Sequence, residues 1–259
     1  MAQPSDISQH TDTPQLEVRQ VGNDCPAKWL RAGWQDLKAA PVASLSYGLV
    51  FALLGAIMVW AVADTQYLVL ALITGFLLMG PLLAIGLYDI SERIEAGEQP
   101  TLWHAMTSWR HRLDNIMMVA IIPGIIMAAW IRFSALMVGL FFNEGMVTAG
   151  DTPVFDMFLS ELALGFWFSY LFAGGLLAAF VFSISVVSIP VSLQRNVDCI
   201  SAMQASFRAV MQNKARMVLW AMAILLLTAI GFLTFGLGLV VVIPLIGHAT
   251  WHAYRDLIA

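Results

Sequence analysis

Four of the five histidines lie where they could hold a metal ion or a haem. His248 and His252 are four residues apart, so a helix places both imidazoles on one face. His104 and His111 lie in a segment that we predict on the same side of a membrane, and a haem between the two pairs is one interpretation. In the other interpretation, these histidine side chains form ordinary hydrogen bonds at the membrane interface. Since Ala249 stands where a zinc-protease motif has glutamate, we expect no cofactor and no metal, with haem as the alternative.

Arg132 is a charge inside an otherwise apolar stretch, which is energetically costly and marks a candidate functional residue. It follows Ile116 by 16 residues, so it lies about 24 Å along a helix, toward the outer headgroups. We predict a structural role, in which Arg132 reaches the headgroups or pairs with Glu161. A substrate-binding role is the alternative.

Charged and aromatic residues follow two of the apolar stretches, and we expect them to meet in one polar cluster, called the rim. The cluster comprises Asp89, Glu92, Arg93, Glu95, Arg255 and Asp256, and we count the neighbouring candidates Tyr88, Trp251 and Tyr254 as part of the rim. We predict that the rim is the functional surface. The alternative is a set of ordinary ion pairs at solvated helix ends, which contribute little free energy.

Familiar catalytic motifs are absent from the sequence. It contains no phosphate-binding glycine loop with lysine, no nucleophile elbow and no Cys-x-x-Cys. No apolar stretch has a carboxylate at its centre, so the usual coupling group of a proton- or sodium-driven carrier is missing. These absences favour a protein that is not an enzyme.

The composition indicates a membrane protein. Of 259 residues, 59% are hydrophobic and 12% are charged, whereas about 25% are charged in typical soluble domains. This excludes an ordinary soluble enzyme. The net charge of −4 provides no electrostatic basis for binding nucleic acid.

The pattern of apolar residues predicts an all-α protein with six transmembrane helices. The predicted spans are 44–63, 66–88, 116–142, 162–190, 217–235 and 236–252. The last apolar block is divided at Phe235–Gly238 because two nearby glycines indicate a turn, and a single helix there, giving five spans, is the alternative. Residues 1–23 are polar and predict a disordered cytoplasmic tail, without a cleavable signal peptide, before a single membrane domain over 24–259.

The distribution of charge predicts the orientation. With six spans, all 13 lysines and arginines except Arg132 fall on one side, and the opposite loops carry only acidic charges. The positive-inside rule then places both termini in the cytoplasm, as expected for a multi-pass protein of the bacterial inner membrane. Cys25 and Cys199 fall on the same side, where we expect reduced thiols and no disulfide.

Three segments predict an internal repeat of one amphipathic helix at the membrane interface followed by a transmembrane hairpin. Apolar residues recur at helical spacing in each segment, with basic residues beside them. The three stripes are Leu30, Trp34 and Leu37; Leu102, Met106, Trp109 and Leu113; and Ile200, Met203, Phe207 and Val210.

Two blocks of sequence resemble a known family. Gly80–Ser91 with Glu95–Glu98, and Pro244–Leu257, are similar to blocks of the bacterial family named domain of unknown function 2189, and the resemblance extends from Trp29 to the C-terminus. It implies an integral membrane protein and almost nothing about activity. Members have at times been labelled as candidate cytochrome oxidase subunits. An oxidase catalytic subunit needs histidines inside several spans, and we predict none of the five there.

We therefore expect a non-catalytic scaffold or accessory subunit that acts through the rim, in contact with the lipid bilayer and with another membrane protein complex. The first alternative is a small-molecule or lipid permease with a cavity that reaches Pro123 and Gly124 in the third span. The second alternative is a haem-binding redox component associated with a respiratory oxidase.

Overall fold

The structure is a computed structural model that describes residues 16–108, 113–142, 163–195 and 197–259. In these ranges the chain forms helices and a single antiparallel bridge between Val18 and Ile258. The helices are α1 (Cys25–Ala39), α2 (Pro41–Ala61), α3 (Gln66–Leu83), α4 (Ile85–Glu95), α5 (Leu102–Thr107), α6 (Leu113–Phe141), α7 (Ala163–Ser185), α8 (Ser188–Gln194), α9 (Cys199–Gln212), α10 (Lys214–Leu233) and α11 (Leu239–Leu257).

Five stretches of helix within the described ranges are long and apolar enough to cross a membrane. They are Pro41–Ala61, Tyr67–Glu95, Ile121–Phe141, Leu164–Gln194 and Lys214–Leu233. The protein is therefore an all-helical, multi-pass integral membrane protein. α11 is not among the five, so the count of six spans remains a prediction.

Proline has different effects in two of the spans. α3 contains Pro81 and gives way to α4 at Ala84. α6 instead continues through Pro123 without a break over Leu113–Phe141, and a side chain added at the neighbouring Gly124 would meet open space. The third span is thus not the broken helix that a cavity at Pro123 would need.

The last apolar block forms two helices, α10 and α11, joined by a turn over residues 234–238. Phe235 and Gly236 have φ values of 54° and 81° in this turn. Glycine adopts this left-handed conformation without steric cost, which explains why the chain reverses here. α11 then continues to Leu257, five residues beyond the predicted end of the span.

One large core, which we call the terminal layer, lies near the two ends of the described chain. It is formed by α1, α4, α8, α9, the first turns of α10 and the end of α11. Its largest fully buried side chains include Trp29, Tyr88, Trp220, Trp251 and Tyr254. Trp29 and Trp220 pack edge to face with ring centroids 5.6 Å apart. Trp251 and Tyr254 are therefore core residues of this layer.

Residues 16–21, which lie within the predicted tail of residues 1–23, pack on the terminal layer. The amide of Arg19 donates to the Leu257 carbonyl at 2.9 Å. The buried Asn213 accepts from the amide of Val21 and donates to the carbonyl of Arg19, each at 3.0 Å. Residues 1–15, the rest of the predicted tail, lie outside the described ranges.

In two of the predicted amphipathic helices, part of the predicted apolar stripe faces outward. α9 packs inward through Ala202, Ala205 and Ala209, while Ile200 is 66% exposed. In α1 the buried residues are Cys25, Trp29, Gly33, Asp36 and Leu37, while Trp34 is 45% exposed. Small residues allow close packing of helices, and outward apolar side chains suit contact with lipid. In the second segment, Trp109 and His111 lie outside the described ranges.

Candidate functional site

A chain of five polar side chains crosses the interface of four helices, and we call it the Asp36 network. Its members are Ser44 of α2, His248 and His252 of α11, Ser91 of α4 and Asp36 of α1. Ser44 Oγ lies 2.9 Å from His248 Nε2, and His248 Nδ1 lies 2.8 Å from Ser91 Oγ. Ser91 Oγ is 2.7 Å from Asp36 Oδ2, which is also 2.9 Å from His252 Nε2.

The hydrogen bonds of the Asp36 network have a consistent direction. Ser91 donates its hydroxyl proton to Asp36 Oδ2, so Ser91 Oγ accepts from the Nδ1–H of His248. A neutral His248 then accepts from the Ser44 hydroxyl through Nε2. The donors thus point toward the Asp36 carboxylate, which can only accept.

Burial determines the charge state of His248. The side chains of Ser44, Ser91 and His248 are fully buried, and Asp36 is buried as well. Burial disfavours a charged imidazole, so the neutral form of His248 agrees with the hydrogen-bond directions.

Two glycines bring the helices of the Asp36 network close together. A Cβ added at Gly48 of α2 would overlap the Val240 carbonyl oxygen and would lie 2.9 Å from Pro244. A Cβ added at Gly33 of α1 would lie 2.6 Å from the amide nitrogen of Ala249. Because α11 touches the backbones of both helices, Asp36 and Ser44 can reach its histidines.

The rim residues form three separate contact groups in place of the single predicted cluster. Trp251 donates from Nε1 to Glu95 Oε1 at 3.0 Å, and Arg255 Nε lies 3.4 Å from Glu95 Oε2. Arg93 binds Asp89 at 2.9 Å and Glu98 at 2.8 Å. These two groups hold the end of α4 against α11 and against the following loop.

The third group joins α1 to the end of α11. Asp256 accepts from Trp29 Nε1 at 2.8 Å and from Lys28 Nζ at 3.1 Å. The sequence predicted a role for Asp256 but not for Trp29 as its partner. Glu92 is exposed on α4 and belongs to none of the three groups.

The two rim tyrosines are buried. Tyr88 stacks on Trp251 with ring centroids 6.4 Å apart. Tyr254 donates to Gln194 Oε1 of α8 at 3.1 Å, and burial raises the pKa of its phenol. Both side chains serve the packing of the terminal layer.

The two predicted histidine pairs have different environments. Both ring nitrogens of His248 contact serine hydroxyls, and His252 Nε2 contacts Asp36. His104 lies on α5, and its buried Nδ1 has no hydrogen-bond partner among the described residues. His111 lies outside the described ranges. Within those ranges, no group of three or more His, Cys, Asp or Glu side chains is arranged to hold a metal ion.

Arg132 lies on the exposed face of α6. The predicted partner Glu161 lies outside the described ranges. On the opposite face, Trp130 packs against Tyr170 of α7 with ring centroids 4.7 Å apart. Arg132 therefore points away from the packed interior of the α3, α6 and α7 helices.

A second buried polar cluster, which sequence reasoning missed, joins α3, α6 and α7. Trp130 donates from Nε1 to Thr74 Oγ1 at 3.1 Å. The hydroxyl of Tyr170 lies 3.1 Å from Thr74 Oγ1 and 2.7 Å from Ser134 Oγ. Polar side chains paired across helices in this way stabilise packing inside a membrane.

The sequence analysis also did not identify Asp36, Ser91 and Ser44 as site residues. Asp36 stands among the buried residues of α1, beside Gly33 and Leu37. A lone carboxylate on the packed face of an amphipathic helix was the one available signal, because a buried charge needs a partner.

Comparison with known proteins finds a family match over just under half of the chain's length. No curated protein and no solved structure matches the chain. Residues 68–194 match the family model described as "Predicted integral membrane protein (DUF2189)". The match contains the Gly80–Ser91 block but not Pro244–Leu257, so it is narrower than the predicted resemblance. Over residues 68–194, the chain is therefore similar to the DUF2189 family of predicted integral membrane proteins.

Proposed function

We propose that this protein is a non-catalytic membrane scaffold or accessory subunit that binds another protein through the exposed part of its rim. The Asp36 network carries the proposal. Its five side chains satisfy one another across four helices and bury Ser44, Ser91 and His248 completely. Such a network holds helices in fixed positions, and its buried hydroxyls offer no site for a substrate.

We also propose that both termini and the terminal layer lie on the cytoplasmic side of a bacterial inner membrane. The exposed residues Arg31, Lys38, Arg208 and Lys214 support this orientation, since all four belong to the terminal layer or its edge. Basic residues near the ends of spans favour the cytoplasmic side. The outward apolar side chains of α1 and α9 support the proposed repeat of interfacial helices.

The binding surface in this proposal is the exposed edge of α4 and the residues that follow it. Glu92, Glu95 and Glu98 are exposed there, while the aromatic rim residues lie beneath. A partner with basic residues would complement this edge. The internal contacts of Glu95 and Glu98 keep the edge fixed, which lowers the entropic cost of binding.

Affinity purification of the full chain in a mild detergent tests the proposal. We expect a partner protein to purify with the wild type, and to be lost from Glu92→Arg, which reverses one exposed charge. Gln212→Arg is the control, because it introduces an arginine at another exposed position, on α9. The proposal is wrong if no protein purifies with the wild type, or if both variants retain the same protein equally.

Neither of the other two functions is favoured by a specific contact. A permease with a cavity at Pro123 would need a break in α6, which is continuous there. Haem ligation by His248 would need one of its ring nitrogens to leave a serine hydroxyl.

A further inference from the structure

We propose that α10 and α11 form a re-entrant hairpin whose tip, residues 233–238, ends among the lipid acyl chains without reaching the water on the far side. The tip would then contact the interior of the bilayer directly. This inference concerns a different part of the molecule from the proposed binding surface and does not depend on it.

The side chains of the tip are suited to lipid. Leu233, Phe235 and Leu237 are 80%, 98% and 76% exposed. No residue from 233 to 238 is charged, and Thr234 is the one polar side chain. The turn between α2 and α3 contrasts with this, because it carries Asp64 and Thr65. A turn in water has no need of three exposed large apolar side chains.

The backbone of the tip is largely paired within the tip itself. The Thr234 hydroxyl donates to the Gly231 carbonyl and accepts from the Gly238 amide, each at 2.8 Å. The amides of Leu237 and Leu239 donate to the carbonyls of Thr234 and Gly236, each at 3.1 Å. Inside a bilayer, where water is absent, polar backbone groups need such internal partners.

The packing of α11 against α2 measures the depth of the tip. The two helices run antiparallel, since Ser44 meets His248 while Gly48 meets Val240 and Pro244. Continuing this register brings Gly236 level with residues 54–56 of α2. α2 and its turn continue for another eight to ten residues to Asp64, which is roughly 12–15 Å.

The packing of α10 against α3 gives the same result independently. Phe232 and Phe76 pack edge to face with ring centroids 5.5 Å apart. The tip is then level with about residue 72 of α3, some seven residues short of Thr65, or about 10 Å.

The apolar core of a bilayer is about 30 Å thick, which the 21 residues of α2 match. A tip about 10 Å short of the outer turn therefore ends inside that core. Both ends of the hairpin remain on one side, so the predicted location of the two termini is unchanged. The predicted fifth and sixth spans become a single hairpin that enters and leaves from the same side.

Spin-label depth measurements on the full chain test this proposal. Single cysteines replace Phe235, Leu53 and Asp64 in a chain with Cys25→Ala and Cys199→Ala, reconstituted in phosphatidylcholine–phosphatidylglycerol vesicles. Leu53 is the matched control, because it is exposed on α2 near the inferred level of the tip, and Asp64 reports the outer turn.

We expect the label at Phe235→Cys to collide readily with oxygen and rarely with a polar nickel chelate, as the label at Leu53→Cys does. Its accessibility to the chelate should be at least about tenfold below that at Asp64→Cys, because the chelate is excluded from the bilayer core. The proposal is overturned if position 235 matches position 64. Leu237→Cys repeats the measurement on the same tip, so a folding defect of one variant does not decide the outcome.

Discussion

His248 Nδ1 lies 2.8 Å from Ser91 Oγ, and this contact joins α11 to α4 across 157 residues of sequence. The Ser91 hydroxyl donates a hydrogen bond to Asp36, so α1 is joined to the same point. These two contacts therefore join α1, α4 and α11 into one structural unit.

Removing the Asp36 carboxylate should destabilise the terminal layer. In Asp36→Ala, Ser91 and His252 lose their acceptor, and a buried donor left without a partner costs about 1–3 kcal/mol. Thermal unfolding in detergent measures the change. Gln35→Ala, at the adjacent exposed position, should have little effect. Equal melting temperatures for the two variants would contradict a structural role for Asp36.

Gly48 and Gly55 should respond differently to the same substitution. A Cβ at Gly48 overlaps the backbone of α11, whereas a Cβ at Gly55 on the same helix meets nothing within 4 Å. We expect Gly48→Ala to cost about 1–3 kcal/mol through overpacking. Gly55→Ala should be neutral or slightly stabilising, since alanine favours helix. Comparable unfolding temperatures for Gly48→Ala and Gly55→Ala would contradict the close packing of α2 on α11.

The purified full chain should show no Soret absorption band. Both ring nitrogens of His248 are held by serine hydroxyls, so this histidine is not available to a haem iron in the described arrangement. An absorbance spectrum of protein prepared from cells supplied with haem makes the measurement. A Soret band that disappears in His248→Gln would contradict this prediction and would support a haem-binding redox function.

Five of the six predicted spans coincide with helices that are long and apolar enough to cross a membrane, because apolar length alone identifies such helices. The predicted span 236–252 is not among them. The division of the last block followed from Gly236 and Gly238, and the structure places a turn there. The Asp36 network could not be predicted, since its hydrogen bonds join residues 55 to 216 positions apart. The pairing of His248 with His252 on one face was visible, but their partners belong to distant helices.

The sequence also did not reveal which face of each amphipathic helix packs inward. Periodicity identifies an apolar stripe, and we expect such a stripe to face the core in a soluble protein. In α9, Ile200 and Phe207 instead face outward, and alanines form the packed face. A membrane removes the usual penalty for exposing large apolar side chains, so the same pattern permits either orientation.

Site-specific photocrosslinking in intact cells tests the proposed scaffold function most directly. A photoreactive amino acid is placed at Glu92 on the rim, and in a second variant at Gln212, an exposed control position of α9. We predict that position 92 forms a discrete crosslinked product with one other protein, and that position 212 does not. Crosslinks that are absent at position 92, or identical at the two positions, would contradict a binding surface at the rim.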